Sequence, residues 1–298
     1  MNFAVLLNRD GGTLKTMDVD VFGQQAQALL IESGHVAAIH IVSGDELSAR
    51  VDYIIGDTSI DAIVVGGGDG TVSFVAGKVW RAKKQLAVLP AGTMNLFARS
   101  IGMSLDLDLA VAQIANGTRS KVDTATANGQ PFLHQFALGI QPRVVQQRDE
   151  LEHRSRFGKV FAGISTFLST IVQPPKLTIK LEHDHGVLSE KVSLLCVTNN
   201  LYGRGHIPHA DRLDDGKIGI YWAQPLTTRE FLKLTSDLLL GIWENNPNLT
   251  EIVTTKAVLY MPRVNKKMRA TIDGELVPLE RKTVFALDRQ SLNVIKPE

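Results

Sequence analysis

Through the first 120 residues, short apolar runs alternate with stretches whose apolar positions recur at helical spacing. Phe3–Leu7, Val36–Val42, Asp61–Val65 and Leu86–Leu89 read as strands, and Val21–Ile31, Glu46–Ile55, Thr71–Lys83 and Met94–Ile101 as helices. Strand and helix in turn predict a mostly parallel sheet with helices on both faces, an α/β domain of three layers. Ligands of such sheets sit at the carboxyl ends of strands, where loops lead into helices. After Val122 the rhythm changes. Phe132–Ile140, Lys176–Leu181, Lys191–Val197, Ile218–Trp222, Thr254–Met261, Met268–Ile272 and Thr283–Leu287 read as strands, interrupted by helical stretches at Phe157–Val172 and Thr228–Trp243. The boundary falls near Lys121–Thr124, which predicts an α/β domain over 1–122 and a β-rich domain over 123–284.

Two glycine-rich stretches fall at predicted strand ends. The first, Asp61-Ala-Ile-Val-Val-Gly-Gly-Gly-Asp-Gly-Thr71, runs from a buried strand through Gly66, Gly67, Gly68, Asp69 and Gly70 into a helix. Glycines let backbone N–H groups approach a phosphate closely, the helix N-terminus adds partial positive charge, and the Thr71 hydroxyl can donate a further bond. A tight strand-to-helix turn with no ligand is the bland alternative. Asp69 weighs against it, because a carboxylate beside a polyphosphate costs about 4 kcal/mol at 4 Å in an effective dielectric near 20. That makes sense where Mg²⁺ neutralises both or where Asp69 handles a proton; otherwise Asp69 caps the following helix. In the second stretch, Leu89-Pro-Ala-Gly-Thr-Met-Asn-Leu-Phe-Ala-Arg99, the residues Gly92, Thr93 and Asn95 offer backbone N–H, hydroxyl and amide groups. Neither the P-loop pattern nor G-x-G-x-x-G is present, since position 73 is Ser, and protein-kinase signatures are absent.

Composition narrows the field. Of 298 residues, 44% are hydrophobic and 21% charged, which suits a globular chain, and 32 Lys plus Arg against 31 Asp plus Glu leave no global field for nucleic acid. Any anionic partner must be held by a local site. The single cysteine, Cys196, lies in the apolar run Val192–Val197 and reads as a core residue of a protein in a reducing, cytoplasmic compartment. The N-terminus lacks a basic n-region, and no window approaches the roughly 18 apolar residues of a membrane span. The expectation is a soluble protein or one peripheral to the inner face of a membrane.

Gly67-Gly-Asp-Gly-Thr71 followed by Pro90-Ala-Gly-Thr-Met-Asn95 resembles the diacylglycerol kinase catalytic-domain family, which includes bacterial lipid kinases and sphingosine and ceramide kinases. Asn8-Arg-Asp-Gly-Gly12 is similar to the family's N-terminal Asn-Pro-x-x-Gly turn, with Arg9 in place of the proline, and Ser43 sits where the family carries Thr or Ser after its second strand. Gly203-Arg-Gly205, Pro208 and Asp211-Arg-Leu-Asp-Asp-Gly216 look like its glycine-rich turn and structural metal loop, and Ile272-Asp-Gly-Glu275 like its late Asp-Gly-Glu motif. The resemblance implies an ATP-binding first domain, a β-sandwich second domain, an active site in the cleft between them, and a tail, about 285–298, packed on the first domain. It implies phosphate and nucleotide binding by Asn8, Ser43, Gly67, Gly68, Gly70, Thr71, Gly92, Thr93, Asn95 and Glu275. Asp273 would be the base, Asp69 would orient Mg²⁺ or share the proton relay, and Asp211, Asp214 and Asp215 would ligate a structural metal. Where the family often reads Gly-Thr-x-Asn-Asp, Leu96 follows Asn95 here, so one acid is lost.

Taken alone, Asp273-Gly-Glu reads as a hairpin turn, and acids in a surface turn as solvated. His206 and His209, and His183 and His185, lack an evident third metal ligand. Lys78, Arg81, Lys83 and Lys84 read as a solvated helix face; Arg263, Lys266, Lys267 and Arg269 read as a strand edge or an attractor of anionic headgroups. Two apolar stripes, Phe157, Phe161, Ile164, Phe167 and Leu168, and Phe231, Leu234, Leu238, Leu239 and Trp243, face the core or serve an acyl chain. The function expected is transfer of the ATP γ-phosphoryl group to a lipid hydroxyl, with the lipid met at a membrane surface or in a groove. An NAD kinase-like enzyme and a non-catalytic nucleotide- or lipid-binding regulator are the alternatives. A homodimer is compatible with the sequence and not read from it.

Overall fold

A computed structural model describes residues 1–152, 174–205 and 208–298, so the Phe157–Val172 helix, its apolar stripe and His206 lie outside the described residues. The chain divides into two compact units: Met1–Thr124 with Asp211–Asp214 and Asp288–Glu298, and Ala125–Ala210 with Asp215–Leu287.

In the first unit β1 (Asn2–Asn8), α1 (Val19–Glu32), β2 (Val36–Val42), α2 (Leu47–Gly56), β3 (Ala62–Gly67), α3 (Asp69–Ala82) and β4 (Gln85–Pro90) follow in sequence. The strands lie in the order β2-β1-β3-β4, all parallel, and beside β4 run Asn293 and Val294 from the end of the last strand. β1 and β3 are buried along nearly their whole length because helices cover both faces, which is why they read as continuous apolar runs rather than alternating ones. α4 (Leu96–Ser100) follows the second glycine-rich turn. α5 (Leu107–Ala115), unexpected from the sequence reading, opens on Asp106, whose carboxylate accepts the Leu109 N–H. The tail is anchored within this unit: Trp80 Nε1 donates to Ser291 Oγ at 2.9 Å and Asn293 Nδ2 to the Lys83 carbonyl at 3.1 Å.

β5 (Thr118–Ala127) leads into the second unit, where two antiparallel layers enclose one core. One layer orders β7 (Gln135–Gly139), β10 (Leu194–Asn199), β11 (Ile218–Ala223), β12 (Thr250–Thr254), β14 (Arg269–Ile272) and β15 (Glu275–Pro278) as β12-β11-β10-β7-β14-β15. The other joins β6 (Gln130–Phe132), β8 (Leu177–His183), β9 (Gly186–Val192), β13 (Lys256–Tyr260), the end of β5 and the start of β16 (Lys282–Lys296). Phe136, Leu195, Val197 and Ile220 from the first layer meet Ile179, Leu181, Leu259 and Phe285 from the second, with Phe136 edge-on to Phe285 at 5.0 Å. This is the β-sandwich expected.

Local breaks explain where the sequence reading ran strands together. The expected strand Phe132–Ile140 is interrupted at Leu133 and His134, whose N–H groups go to a carboxylate instead of a ladder partner. From Ile140 the chain forms α6 (Ile140–Glu152), another helix the reading lacked. Lys191–Val197 breaks at Ser193, whose hydroxyl donates to the Pro175 carbonyl. The expected helix Thr228–Trp243 is α7 (Thr228–Leu239), started by a Thr227–Glu230 capping box and stopped near Gly241 at φ +69°. Of its stripe, Phe231, Leu234 and Trp243 are buried while Leu239 is 77% exposed.

Phe285 fills the middle of the sandwich and is fully buried. Phe285→Ala is expected to lower unfolding free energy by about 3–5 kcal/mol, seen as a lower denaturant midpoint in a circular dichroism titration.

Candidate active site

β1, β3 and β4 end side by side, and the sheet order reverses direction between β1 and β3, the point at which doubly wound sheets place their ligands. The turns after these strands press together. Gly12, at φ +43°, leaves no room for a side chain: a Cβ there would lie 1.8 Å from the Ala91 carbonyl oxygen, which accepts the Thr13 N–H at 2.7 Å. A Cβ on Gly92 would lie 2.6 Å from Gly68 Cα and 2.9 Å from Asn95 Oδ1. The first and second glycine-rich stretches therefore touch backbone to backbone.

α3 begins behind this contact. Its N-cap is Gly68, which has no side chain to cap it, so the N–H groups of Asp69, Gly70 and Thr71 lack acceptors within the helix. Asn8 Nδ2 donates to Thr71 Oγ1 at 2.9 Å, which leaves the Thr71 hydroxyl proton to be donated elsewhere. Asp69 caps a helix, but not the one it opens: Oδ2 accepts the Asn95 N–H at 2.9 Å and Oδ1 the Leu96 N–H at 2.6 Å, at the start of α4. Asn95 is buried in a left-handed conformation at φ +52°. Its Oδ1 accepts from Gly92 N–H at 2.8 Å, and its Nδ2 donates to the carbonyls of Gly92 and Pro90 at 2.8 and 3.3 Å. The amide expected to face a ligand is engaged in shaping its own turn, which leaves Thr93 exposed at the tip.

The turn after β2 joins through Asp10, whose Oδ2 accepts the Gly44 N–H at 2.8 Å. Ser43 directs both its N–H and its hydroxyl at Glu46 Oε2, at 2.8 and 3.0 Å, and these bonds hold the Glu46 carboxyl below its usual range.

In the second unit, Asp273 at φ +47° and Gly274 at φ +86° form the two-residue turn between β14 and β15. The Asp273 carboxylate faces back into the unit. Oδ2 accepts from Leu133 N–H at 2.8 Å, and Oδ1 from His134 and Gln135 N–H, both at 2.9 Å. Glu275, one position past the turn, is exposed. Behind them Tyr202 OH and Cys196 Sγ both donate to Gln135 Oε1, and Tyr202 OH lies 3.4 Å from His134 Nε2. Burial raises the Tyr202 phenol well above its usual value, and pushes the Cys196 thiol up to about 12.

Residues 2–127 match the sequence profile of the Diacylglycerol kinase catalytic domain. Over these residues the chain resembles the diacylglycerol kinase catalytic-domain family. A "Diacylglycerol kinase" of Bacillus subtilis is 25% identical over 254 residues, 82% of this chain and 80% of the relative. A Pseudomonas aeruginosa protein named "Probable lipid kinase YegS-like" is 28% identical over 272 residues, 86% of each chain. The fold extends the likeness to the full length: a crystal structure of a diacylglycerol kinase from Bacillus anthracis superposes with a TM-score of 0.71 at 19% identity, covering 99% of this chain and 96% of that one.

Within the first unit the structure brings Asn8, Gly67, Gly68, Asp69, Gly70, Thr71, Gly92, Thr93 and Asn95 to one end of the sheet, with Ser43 at the neighbouring turn. Asp273 and Glu275 belong to the second unit. Asp211 and Asp214 fall in the first unit and Asp215 in the second, and Asp214 Oδ1 pairs with Arg212 at 3.2 Å. Among the described residues no three His, Cys, Asp or Glu side chains group as metal ligands, which applies also to His183 and His185. Among the described residues, too, no helix is long and apolar enough to cross a membrane. Lys78 is paired with Asp52 at 2.6 Å, and Lys84 donates to the carbonyls of Asp57 and Ile60, so that basic helix face is partly tied down.

Asp123 and Asn200 are among the buried polar residues that escaped the sequence reading. Asp123 accepts the Gln290 N–H on Oδ1 at 2.8 Å, and its own N–H donates to the Leu213 carbonyl at 2.7 Å. Asn200, at φ +65°, is fully buried, and among the described residues neither of its side-chain polar atoms has a partner. Their signal was a polar residue set against an apolar run, Val122-Asp123 and Val197-Thr-Asn-Asn200.

Asp69→Ala would strand the N–H groups of Asn95 and Leu96, at about 1–3 kcal/mol each. The expected result is faster amide hydrogen exchange at Asn95 and Leu96 in the variant, with the Val64 and Val65 amides of β3 unchanged. Cys196 stays protonated in the folded protein, so it should resist iodoacetamide at pH 8.5 until denaturant is added. Because its folded value is raised above the unfolded one, the thiol stabilises the fold fully below pH about 9 and loses that contribution as pH climbs toward about 12.

Proposed function

We propose that the protein is an ATP-dependent lipid kinase that transfers the γ-phosphoryl group to a lipid hydroxyl. The observation that carries this reading is the uncapped start of α3 held against the Gly92 turn, with three fixed backbone donors and the Thr71 hydroxyl proton at one end of the sheet. Glycine at 67 and 92 permits this close packing, because a Cβ there would lie 2.7 Å from the Thr71 side chain or 2.6 Å from Gly68 Cα, and the packing holds the backbone donors of a polyphosphate cradle together. In this reading Gly67, Gly68, Gly70, Thr71, Gly92 and Thr93 hold the phosphates, and Asn8 and Asn95 fix the turns that present them. Phosphoryl transfer needs alignment and charge neutralisation more than covalent help. Asp273 takes the proton of the attacking hydroxyl, and Glu275 lies two residues on.

The donor set fits a Mg²⁺ accompanying ATP. Each Asp69 oxygen accepts one N–H and keeps a second lone pair, and Mg²⁺ in nucleotide sites needs only one or two carboxylates beside phosphate and water. When bound, Mg²⁺ would offset phosphate charge next to Asp69. The acceptor is a lipid presented at a membrane surface on the cytoplasmic side, where an acyl chain, at ~0.8 kcal/mol per CH₂, resists leaving the bilayer.

A γ-labelled ATP assay with Mg²⁺ against lipid alcohols in mixed micelles tests this, with wild type beside Asp69→Asn and Asp273→Asn. Label should enter a chloroform-soluble product and fall at least about 100-fold in each variant. Label in NAD or another water-soluble alcohol would defeat the lipid assignment, and ATP binding with no labelled product would leave a nucleotide-binding regulator.

A further inference from the structure

A cavity of about 360 Å³ opens in the second unit, lined chiefly by Tyr202, Tyr221, Trp243, Arg204, Glu244 and Glu251. Its aromatic wall is rigid. Tyr221 stacks on Tyr202 with centroids 4.9 Å apart, and Trp243 stands nearly perpendicular to both, at 5.7 and 6.0 Å. Tyr221 accepts the Tyr202 N–H at 3.0 Å and donates its hydroxyl to Glu251 Oε1 at 2.8 Å, so ring positions and carboxylate are set together. A wall fixed before binding costs little ordering entropy when a ligand arrives.

The charges do not cancel. Arg204 Nε pairs with Glu244 Oε2 at 3.2 Å, whereas Glu251 has only the neutral Tyr221 hydroxyl as a hydrogen-bond partner among the described residues. One negative charge is thus left over in an aromatic-walled cavity. An anion would be repelled by Glu251, and among the described residues no cluster of three ligands favours a metal ion. An organic cation meets both features, with alkyl groups against the rings and its charge toward the carboxylate.

The geometry points to a binding site for an alkylammonium group in this cavity, carried either by a free amine or by a lipid headgroup. The site stands independently of the phosphoryl-transfer reading. It is nevertheless linked to Asp273 through the protein: the Tyr202 hydroxyl donates to the Gln135 side chain, and the Gln135 N–H donates to Asp273 Oδ1.

The test compares choline with its neutral isostere 3,3-dimethylbutan-1-ol by calorimetric titration of the full-length protein at matched ionic strength. Choline should saturate and bind about tenfold tighter than the isostere, the difference expected of one charge contact. Glu251→Gln keeps an acceptor for Tyr221 and removes only the charge, so it should abolish the preference for choline while the thermal melt stays that of wild type. Cosedimentation with phosphatidylcholine vesicles separates the sources. Retention that depends on Glu251 assigns the headgroup, and saturable choline binding without such retention assigns the free amine. Equal binding of choline and isostere, or an undiminished preference in a well-folded Glu251→Gln protein, would overturn the proposal.

Discussion

The close approach of two backbones, Gly68 to Gly92, is the constraint on which the candidate site depends. Side chains normally keep adjacent loops apart by several ångströms; here even a methyl group would lie 2.6 Å from the neighbouring Cα. The approach brings the start of α4 under Asp69, whose carboxylate then accepts two N–H groups that α4 cannot satisfy internally. Asn95 completes the arrangement by folding its amide back onto Gly92 and Pro90. A buried turn must find partners for its polar backbone groups, and in this one the acid and the amide supply them. The helix N-terminus of α3 is left uncapped as a result, because its N-cap is one of the glycines the approach demands.

The second unit uses the same device at Asp273. A left-handed residue in a two-residue hairpin turn would ordinarily project into solvent, yet its carboxylate receives three N–H groups from the start of a neighbouring strand. Those bonds interrupt the ladder between Phe132 and Gln135 and define where β7 begins. Both acids that the motifs single out for chemistry are thus also hydrogen-bond hubs. An acid held by two or three backbone donors has a fixed position, which is what a group acting on a transferred phosphoryl requires.

Much of this was legible in the sequence because local rules decide it. The four parallel strands and their helices followed from apolar runs and helical spacing, and the Gly-Gly-Asp-Gly-Thr and Pro-Ala-Gly-Thr-Met-Asn stretches marked the end of the sheet where the two turns meet. What escaped depends on partners distant in sequence. Nothing near Asp69 says that its oxygens reach residues 26 and 27 positions on, and nothing near Leu133 says that its N–H is taken by Asp273 from the other end of the unit. The split of Lys191–Val197 at Ser193 has the same origin, since the serine hydroxyl bonds Pro175 across the chain. α5 was a different kind of miss: Asp106 is a plain N-cap signal ahead of an apolar stretch, and local reasoning sufficed to find it.

The exchange of an acid for Leu96 can be weighed on the same terms. At that position only the backbone N–H serves the hub, as donor to Asp69 Oδ1, so an apolar side chain leaves the scaffold intact. What changes is charge. Two acids, Asp10 and Asp69, remain beside the cradle; one backbone N–H on Asp10 and two on Asp69 partly offset their fields. Asp69 additionally sits at the positive end of α4. Removing one further carboxylate spares a polyphosphate a repulsion on the order of several kcal/mol at contact distance. In the proposed reading the leucine therefore removes a repulsion between the cradle and a polyphosphate, and Asp69 would be the acid of that motif pair nearest to an accompanying cation.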